Sequence, residues 1–296
     1  MYNSIDFFYK NLQTDEEYSF KNTWEDWGLV GSSRPTIAPA KPITNLVKVT
    51  GMSGFYNASE VLTGYPLYES RTGSFEFIVL NSWNKPDAKS WVEVYSEVSS
   101  FLNGQELCCT FEDDPEYFYK GVFAVNEFAS GEYNSTITID YEVEPYKYRR
   151  NRSDHDWEWD TFNFETGIIP ENTFRDWHII NDEGEVYDLT GKVGDMPVVP
   201  EIVFSDWTTD NVGTSSIEFT STMVNPVSRK SVTRTQILKR TDMYLDPLDT
   251  TKGFYSTWKL PLIVMYDNCI GFAASVKQTE GTSDITFSIR FREGRL

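Results

Sequence analysis

Residues Thr136-Ile137-Thr138-Ile139-Asp140-Tyr141-Glu142-Val143 alternate polar and apolar side chains without interruption. A period of two puts every apolar side chain on one face, so this is a strand lying on a core. Upstream, Tyr117 to Phe128 reads as its hairpin partner, with Ala129-Ser130-Gly131-Glu132 as the turn and Gly131 supplying the positive φ that a short turn needs. Further upstream the period changes. Trp91, Val94, Tyr95, Val98, Phe101 and Leu102 recur every three or four residues, predicting a helix from Asp87 to Asn103 that Asp87 caps and Gly104 ends. One helix lying on sheet accounts for the first half of the chain.

Downstream of Val143 comes Pro145-Tyr146-Lys147-Tyr148-Arg149-Arg150-Asn151-Arg152-Ser153, a basic polar stretch suited to an exposed connection. The charge changes across it: residues 1–145 hold 22 acidic and 9 basic side chains, net −13, and residues 146–296 hold 23 and 17, net −6. With 296 residues and about 150 per domain, the expected domains are 1–148 and 149–296. The second half offers no amphipathic helix. Strand-like runs recur at Trp177–Asn181, Val186–Thr190, Val198–Phe204, Ile217–Met223, Val232–Lys239, Leu262–Tyr266, Ile270–Val276 and Ile285–Phe291. About eight strands divided by regular turn signals predict a β-sandwich of jelly-roll type. The fold class is therefore mainly β, and no internal repeat or low-complexity tract interrupts it.

Composition narrows the function. Aromatic residues make up 16% of the chain, and 45 acidic against 26 basic side chains leave a net charge of −19. Such a balance repels phosphate backbones and anionic lipid heads, which argues against sequence-specific nucleic-acid binding. Met1-Tyr2-Asn3-Ser4-Ile5-Asp6 has neither the basic head nor the apolar block of a signal peptide, so synthesis in a cytoplasm is expected. The longest apolar run, Leu262-Ile263-Val264-Met265-Tyr266, is far short of the roughly 20 residues that span a bilayer. Cys108, Cys109 and Cys269 match no zinc or redox spacing and read as reduced core residues.

Reactive groups are scarce. His155 and His178 are the only histidines, and no His-Glu-x-x-His, Gly-x-Ser-x-Gly or P-loop spacing exists. What remains is a carboxylate pair for glycoside hydrolysis, drawn from Glu112, Asp113 and Asp114 or from Asp154, Asp156, Glu158 and Asp160, but acidic runs are ordinarily solvated faces. No catalytic, cofactor-binding or metal-binding residue is expected. Asp156-Trp157-Glu158-Trp159-Asp160 resembles a sugar-stacking face, but the favoured reading is an ordinary half-buried strand, whose alternation sets Trp157 and Trp159 together on one side and the acids opposite. From Met223 to Thr241 the chain carries Arg229, Lys230, Arg234, Lys239 and Arg240 and no acid, either a contact for an acidic neighbour or an edge protected against sheet-to-sheet pairing.

Several motifs occur together in order: Trp24-Glu25-Asp26-Trp27-Gly28-Leu29, the Pro35, Pro39, Pro42 segment, Thr50-Gly51-Met52-Ser53-Gly54, Glu60-Val61-Leu62-Thr63-Gly64, and Tyr68-Glu69-Ser70-Arg71 before Phe75-Glu76-Phe77. Phe101-Leu102-Asn103-Gly104 and Phe111-Glu112-Asp113-Asp114-Pro115-Glu116-Tyr117-Phe118-Tyr119-Lys120-Gly121 follow. Over about the first 150 residues this order resembles the distal tail protein of long non-contractile-tailed phages. Thr50 departs from it, since a Pro-Gly pair is common before that glycine turn. In the second half Trp159 to Gly167 and the closing Phe291-Arg292-Glu293-Gly294-Arg295-Leu296 carry the likeness.

The resemblance implies a structural hub rather than an enzyme. Its N-terminal belt domain would close into a homohexameric ring continuing the tail tube, and its C-terminal domain would be a galectin-like sandwich. The implied location is the distal end of the virion's tail. Implied partners are the major tail tube protein, the tail-tip hub or tail-associated lysin, the tape measure protein and receptor-binding proteins, with no cofactor and no membrane. In such a ring many of Asp15, Glu16, Glu25, Asp26, Glu60, Glu69 and Glu76 would converge on the bore and keep DNA mobile, whereas acids that serve only solubility would be scattered. The rival is a carbohydrate-binding module or an accessory domain of a phage cell-wall hydrolase, which oligomeric state would separate from a ring.

Overall fold

The computed structural model describes residues 4–61, 63–80, 89–131, 135–154, 174–180, 184–210, 212–224, 231–243, 256–267, 269–278 and 282–296, and the chain divides into two units, Met1–Arg150 with Leu296 and Asn151–Arg295. The first unit contains β1 (Ile5–Lys10), β2 (Glu17–Asn22), β3 (Leu29–Gly31), β4 (Leu46–Val47), β5 (Tyr56–Asn57), β6 (Arg71–Val79), α1 (Trp91–Leu102), β7 (Glu106–Phe111), β8 (Tyr117–Ser130), β9 (Ser135–Val143) and β10 (Lys147–Arg149). Its main sheet runs β2-β1-β7-β8-β9-β6-β3, antiparallel throughout, and β10 pairs with the start of β8.

The alternation in β9 works as read. Ile137, Ile139, Tyr141 and Val143 are buried, and their neighbours Phe75 and Phe77 on β6 share the same face. That face is covered by α1, whose Val94, Val98 and Leu102 are buried in the same cluster as Phe7, Trp27, Leu107, Cys109 and Phe123. Gly121 permits a close approach of β8 to β9: a Cβ there would meet the Val143 Cα at 2.6 Å.

The helix differs from its expected limits at one end. It begins at Trp91, four residues after Asp87, because Ser90 caps it. The Ser90 hydroxyl accepts from the Glu93 amide at 3.4 Å and the Glu93 carboxylate accepts from the Ser90 amide at 2.9 Å, a reciprocal capping box. Asp87 lies outside the described residues. Gly104, at φ +77°, ends the helix as expected. The β8–β9 turn also shifts, since Ala129 and Ser130 still pair with Thr136 and Ser135.

The basic stretch is not the exposed connection its composition suggests. Lys147–Arg149 is strand β10, Tyr146 is buried, Lys147 bonds Asp114 at 2.6 Å, and Arg150 bonds Glu17 through Nε at 2.9 Å. Lys147 and Arg150 are thus ordered by acids of the first unit.

The second unit contains β11 (Trp177–Ile180), β12 (Gly184–Tyr187), β13 (Glu201–Thr209), β14 (Ser215–Val224), β15 (Ser231–Lys239), a 3₁₀ turn (Arg240–Met243), β16 (Thr257–Lys259), β17 (Cys269–Gln278) and β18 (Ser283–Arg290). Two four-stranded sheets form, β11-β18-β13-β16 and β12-β17-β14-β15. In order within the unit, one sheet takes the first, eighth, third and sixth strands and the other the second, seventh, fourth and fifth, which is the jelly-roll wrapping. The sheets face each other through Phe219 and Phe287, centroids 5.5 Å apart and perpendicular, and through Trp177 and Phe272 at 5.6 Å. In β13 a bulge between Phe204 and Asp206 re-phases the strand, so Ile202, Phe204 and then Trp207 all point inward.

One strand expectation fails in this unit, and one strand was not expected. Leu262–Tyr266 is a turn-containing segment in which only Met265 makes a bridge, to Val198, and Ile263, Met265 and Tyr266 are buried without a strand ladder. Thr257–Lys259, with no apolar alternation to mark it, supplies the edge strand instead.

Candidate functional site

Residues 41–69 form an arm outside the main sheet. Its two legs are joined at the stem by Ile43 N to Leu67 O at 2.8 Å, Glu69 N to Lys41 O at 2.9 Å and the Pro42–Tyr68 bridge. Further out the Ser59 hydroxyl accepts from the Asn45 amide at 2.7 Å, and β4 pairs with β5 as a separate two-stranded sheet. Gly51 and Gly54, at φ +85° and +97°, turn the tip. A two-stranded ribbon is marginal in water unless its apolar face is covered. This one carries apolar side chains on both faces, since consecutive residues of a strand alternate: Leu46, Val47, Val49, Met52, Phe55 and Tyr56 are 43% to 54% exposed. So many large apolar groups outside a core mark an interaction surface.

The base of the arm is anchored by two side chains from the main sheet. Tyr141 stacks on Phe75 at 4.7 Å, and its hydroxyl accepts from the Ala38 amide at 2.9 Å and donates to the Thr36 carbonyl at 3.3 Å. Its cross-strand neighbour is Gly73, where a Cβ would overlap the tyrosine ring and hydroxyl. Arg71, buried, donates through Nε to the Pro145 carbonyl at 2.7 Å and through Nη1 to the Ala38 carbonyl at 3.4 Å. Arg71 and Gly73 thus have structural reasons for their place in the sequence.

At the far edge of the sheet, the β1–β2 hairpin exposes Leu12, Tyr18 and Phe20. Tyr18 stacks on Tyr9 at 5.6 Å and Phe20 on Phe8 at 5.2 Å, on opposite faces of the sheet. Between them Ser19 sits at φ +57°, at an irregularity in the β1–β2 register. Lys10, with its side chain 2% exposed, meets Asp15 at 2.9 Å and Glu17 at 2.8 Å. Burial alone would raise the Glu17 carboxyl, but hydrogen bonds from Arg150 and Lys10 hold it below the usual carboxylate range.

The outward face of β6, β8 and β9 is acidic. Register puts Glu76, Asp140 and Glu142 on it beside Thr72, Ser74, Thr138 and Ala124, and Thr72, Ser74, Ala124, Asp140 and Glu142 help line a shallow cleft of about 560 Å³. Lys120, on the same face, is engaged by Glu106 at 2.8 Å and Glu144 at 3.6 Å. Of the seven acids expected to line a bore, Glu76 alone lies on this face. Asp15 and Glu16 are at the β1–β2 turn, Glu25 and Asp26 in the turn before Trp27, and Glu60 and Glu69 on the arm.

The residues weighed for chemistry do not converge. Glu112, Asp113 and Asp114 separate to Ser4, Arg34 and Lys147 respectively. Asp154 pairs with Arg290 at 2.6 Å, whereas His155, Asp156, Trp157, Glu158, Trp159 and Asp160 lie outside the described residues. His178 meets Asp284 at 2.6 Å on an exposed surface. Among the described residues no three His, Cys, Asp or Glu side chains are grouped to hold a metal. The described cations of the basic run, Arg234, Lys239 and Arg240, do not form one patch. Arg234 and Lys239 lie on β15, at the end of its sheet, Arg240 is buried over Trp207 at 5.7 Å, and Arg229 and Lys230 are outside the described residues. All three cysteines are buried and none forms a disulfide, and burial pushes the Cys269 thiol up to about 11.

The arm was not anticipated as a surface. Its signal was present: aperiodic apolar residues from Ile43 to Leu67 among Gly51, Gly54 and Gly64, a pattern that builds neither a helix face nor a strand face.

No protein-family model matches the sequence, and no curated protein matches it. Among solved structures the chain is similar to the SPP1 Dit (gp 19.1) protein, described as a paradigm of the hub adsorption apparatus in phages infecting Gram-positive hosts. The identity is 11% and the TM-score 0.47, over 97% of this chain and 99% of that one.

Proposed function

We propose that this chain is a structural subunit of a phage tail tip, a hub that closes into a homohexameric ring between the tail tube and the host-adhesion apparatus. The observation that carries the reading is the arm at residues 41–69, whose apolar side chains are built outward on an anchored stem and await cover by another chain. The ordered motifs of the first 150 residues support it, and so does their structural use: Trp27 packs between Phe7 and Phe101, and Arg71 anchors the arm.

In this reading the belt unit, residues 1–148 in the sequence division, contacts the major tail tube protein and the tape measure. The galectin-like jelly roll is offered to the tail-associated lysin and receptor-binding proteins. The acidic face of β6, β8 and β9 suits the bore, because like charge keeps DNA from adhering.

Size exclusion with light scattering, followed by negative-stain imaging, tests the proposal. Closed six-fold rings are expected. A protein that stays monomeric at high concentration, with the tail tube protein present, would overturn it.

A further inference from the structure

We infer that the open edge of β15, in the second unit, receives an acidic, extended segment of another protein as an added antiparallel strand. The edge belongs to the jelly roll, so this docking does not depend on ring closure by the first unit.

An unpaired strand edge presents a row of amides and carbonyls that any extended chain can pair with, and proteins ordinarily blunt such edges by keeping them short, bulged or interrupted by proline. Among the described strands that end a sheet, β3, β11, β12 and β16 span three or four residues, and the register of β2 on β1 is irregular. Strand β15 is different. Its nine residues, Ser231-Val232-Thr233-Arg234-Thr235-Gln236-Ile237-Leu238-Lys239, contain no proline and pair with β14 from Ser216↔Lys239 to Val224↔Ser231 without a bulge. Hydroxyl pairs fasten it further, Thr220 with Thr235 at 3.3 Å and Thr222 with Thr233 at 3.2 Å. Among the described residues no strand pairs with its other side, and the Leu262 amide reaches the Gln236 side chain at 3.1 Å rather than the main chain. The template is therefore long, regular and held in place.

Its side chains choose the sign of the guest. Alternation sets Val232 and Arg234 toward one face of the strand and Ile237 and Lys239 toward the other. Val232 is 48% exposed and Ile237 51%, and neither Arg234 nor Lys239 has an ion-pair partner among the described residues, in a chain whose net charge is −19. Each face thus offers one apolar side chain and one cation.

Residues directly opposite each other across a ladder attract when their charges differ and repel when they match. An antiparallel guest that answers all four positions reads acid-x-apolar-x-x-acid-x-apolar from its N-terminus. A second copy of β15 is the wrong guest, because two such edges would bring Arg234 and Lys239 of both copies to one seam. The cations that protect this edge against its own kind are the ones that admit an acidic strand.

The test titrates a fluorescein-labelled peptide, Asp-Thr-Val-Thr-Thr-Asp-Thr-Val, into the full chain at low salt and follows anisotropy, beside an analogue with lysine in place of each aspartate. The acidic peptide should bind roughly tenfold more tightly than the analogue and weaken as salt is raised. It should also slow hydrogen exchange within residues 231–239. Arg234→Glu combined with Lys239→Glu, with folding checked by circular dichroism, should reverse the preference between the two peptides. Equal binding of the peptides, binding of neither, or protection that falls outside residues 231–239 would overturn the inference. So would slow exchange at every β15 amide of the free chain, which would mean an edge already covered, by another copy if dilution releases it and by the chain itself if dilution does not. Ring formation is read separately by light scattering, so either result leaves the hub reading where it stands.

Discussion

Changing Tyr141→Phe removes one oxygen and, on this structure, loosens the arm without disturbing the sheet. The ring stacked on Phe75 remains, so the apolar burial is kept. What is lost is the acceptor for the Ala38 amide at 2.9 Å and the donor to Thr36 at 3.3 Å. Ala38 is half-buried, so water repays part of the loss, and the net cost is about 1–2 kcal/mol. Since about 1.4 kcal/mol is a factor of ten, the arm base should open roughly tenfold more often. Hydrogen exchange read at residues 36–43 measures this directly. Unchanged protection there would refute the idea that the Tyr141 hydroxyl anchors the arm. Gly73→Ala reaches the same place by another route, because the new Cβ occupies the volume of the tyrosine hydroxyl, and it should release the arm at least as strongly.

Glu17→Gln should destabilise the first unit by about 2 kcal/mol, below the usual range for breaking a buried pair because Asp15 remains beside Lys10. The sign with pH follows from the lowered carboxyl: its contribution is complete above the ordinary value of 4.5 and is lost as pH falls through the folded value. Urea midpoints taken from about pH 6 down to about pH 3 should therefore fall more steeply for the native chain than for the variant. Cys109 and Cys269, whose thiols burial pushes up, should resist a thiol reagent such as DTNB until the protein unfolds, and fast labelling of the folded chain would contradict the buried placement. Replacing Glu76, Asp140 and Glu142 together by Lys should leave folding nearly unchanged and make assembled rings retain DNA in a low-salt gel shift; no retention would argue that this face is not the bore.

How legible the protein was in its sequence depended on the range of the interaction involved. Ile137, Ile139, Tyr141 and Val143 declare their face because side-chain direction in a strand repeats every two residues, and Val94, Val98 and Leu102 do so because a helix repeats every three to four. The start of the helix was also written locally, in Ser90 with Glu93 three positions on, although Asp87 offered a competing cap. Composition alone marked Lys147 to Arg150 as exposed, because a cation looks solvated until its acids are found. Those acids, Glu17 and Asp114, arrive from distant parts of the chain.

Leu262–Tyr266 failed as a strand for a related reason: an apolar run of five residues says that burial is needed but not what ladder, if any, accompanies it. The order of the jelly roll, with Trp177 of the first strand paired to Phe287 of the eighth, is likewise a pairing across more than a hundred residues. The arm is the clearest division. The sequence by itself determined that Leu46, Val47, Phe55 and Tyr56 are apolar and that glycines turn the chain between and around them. Only the tertiary structure decided that they face outward, because exposure depends on what the rest of the chain leaves uncovered once Tyr141 and Arg71 have anchored the stem.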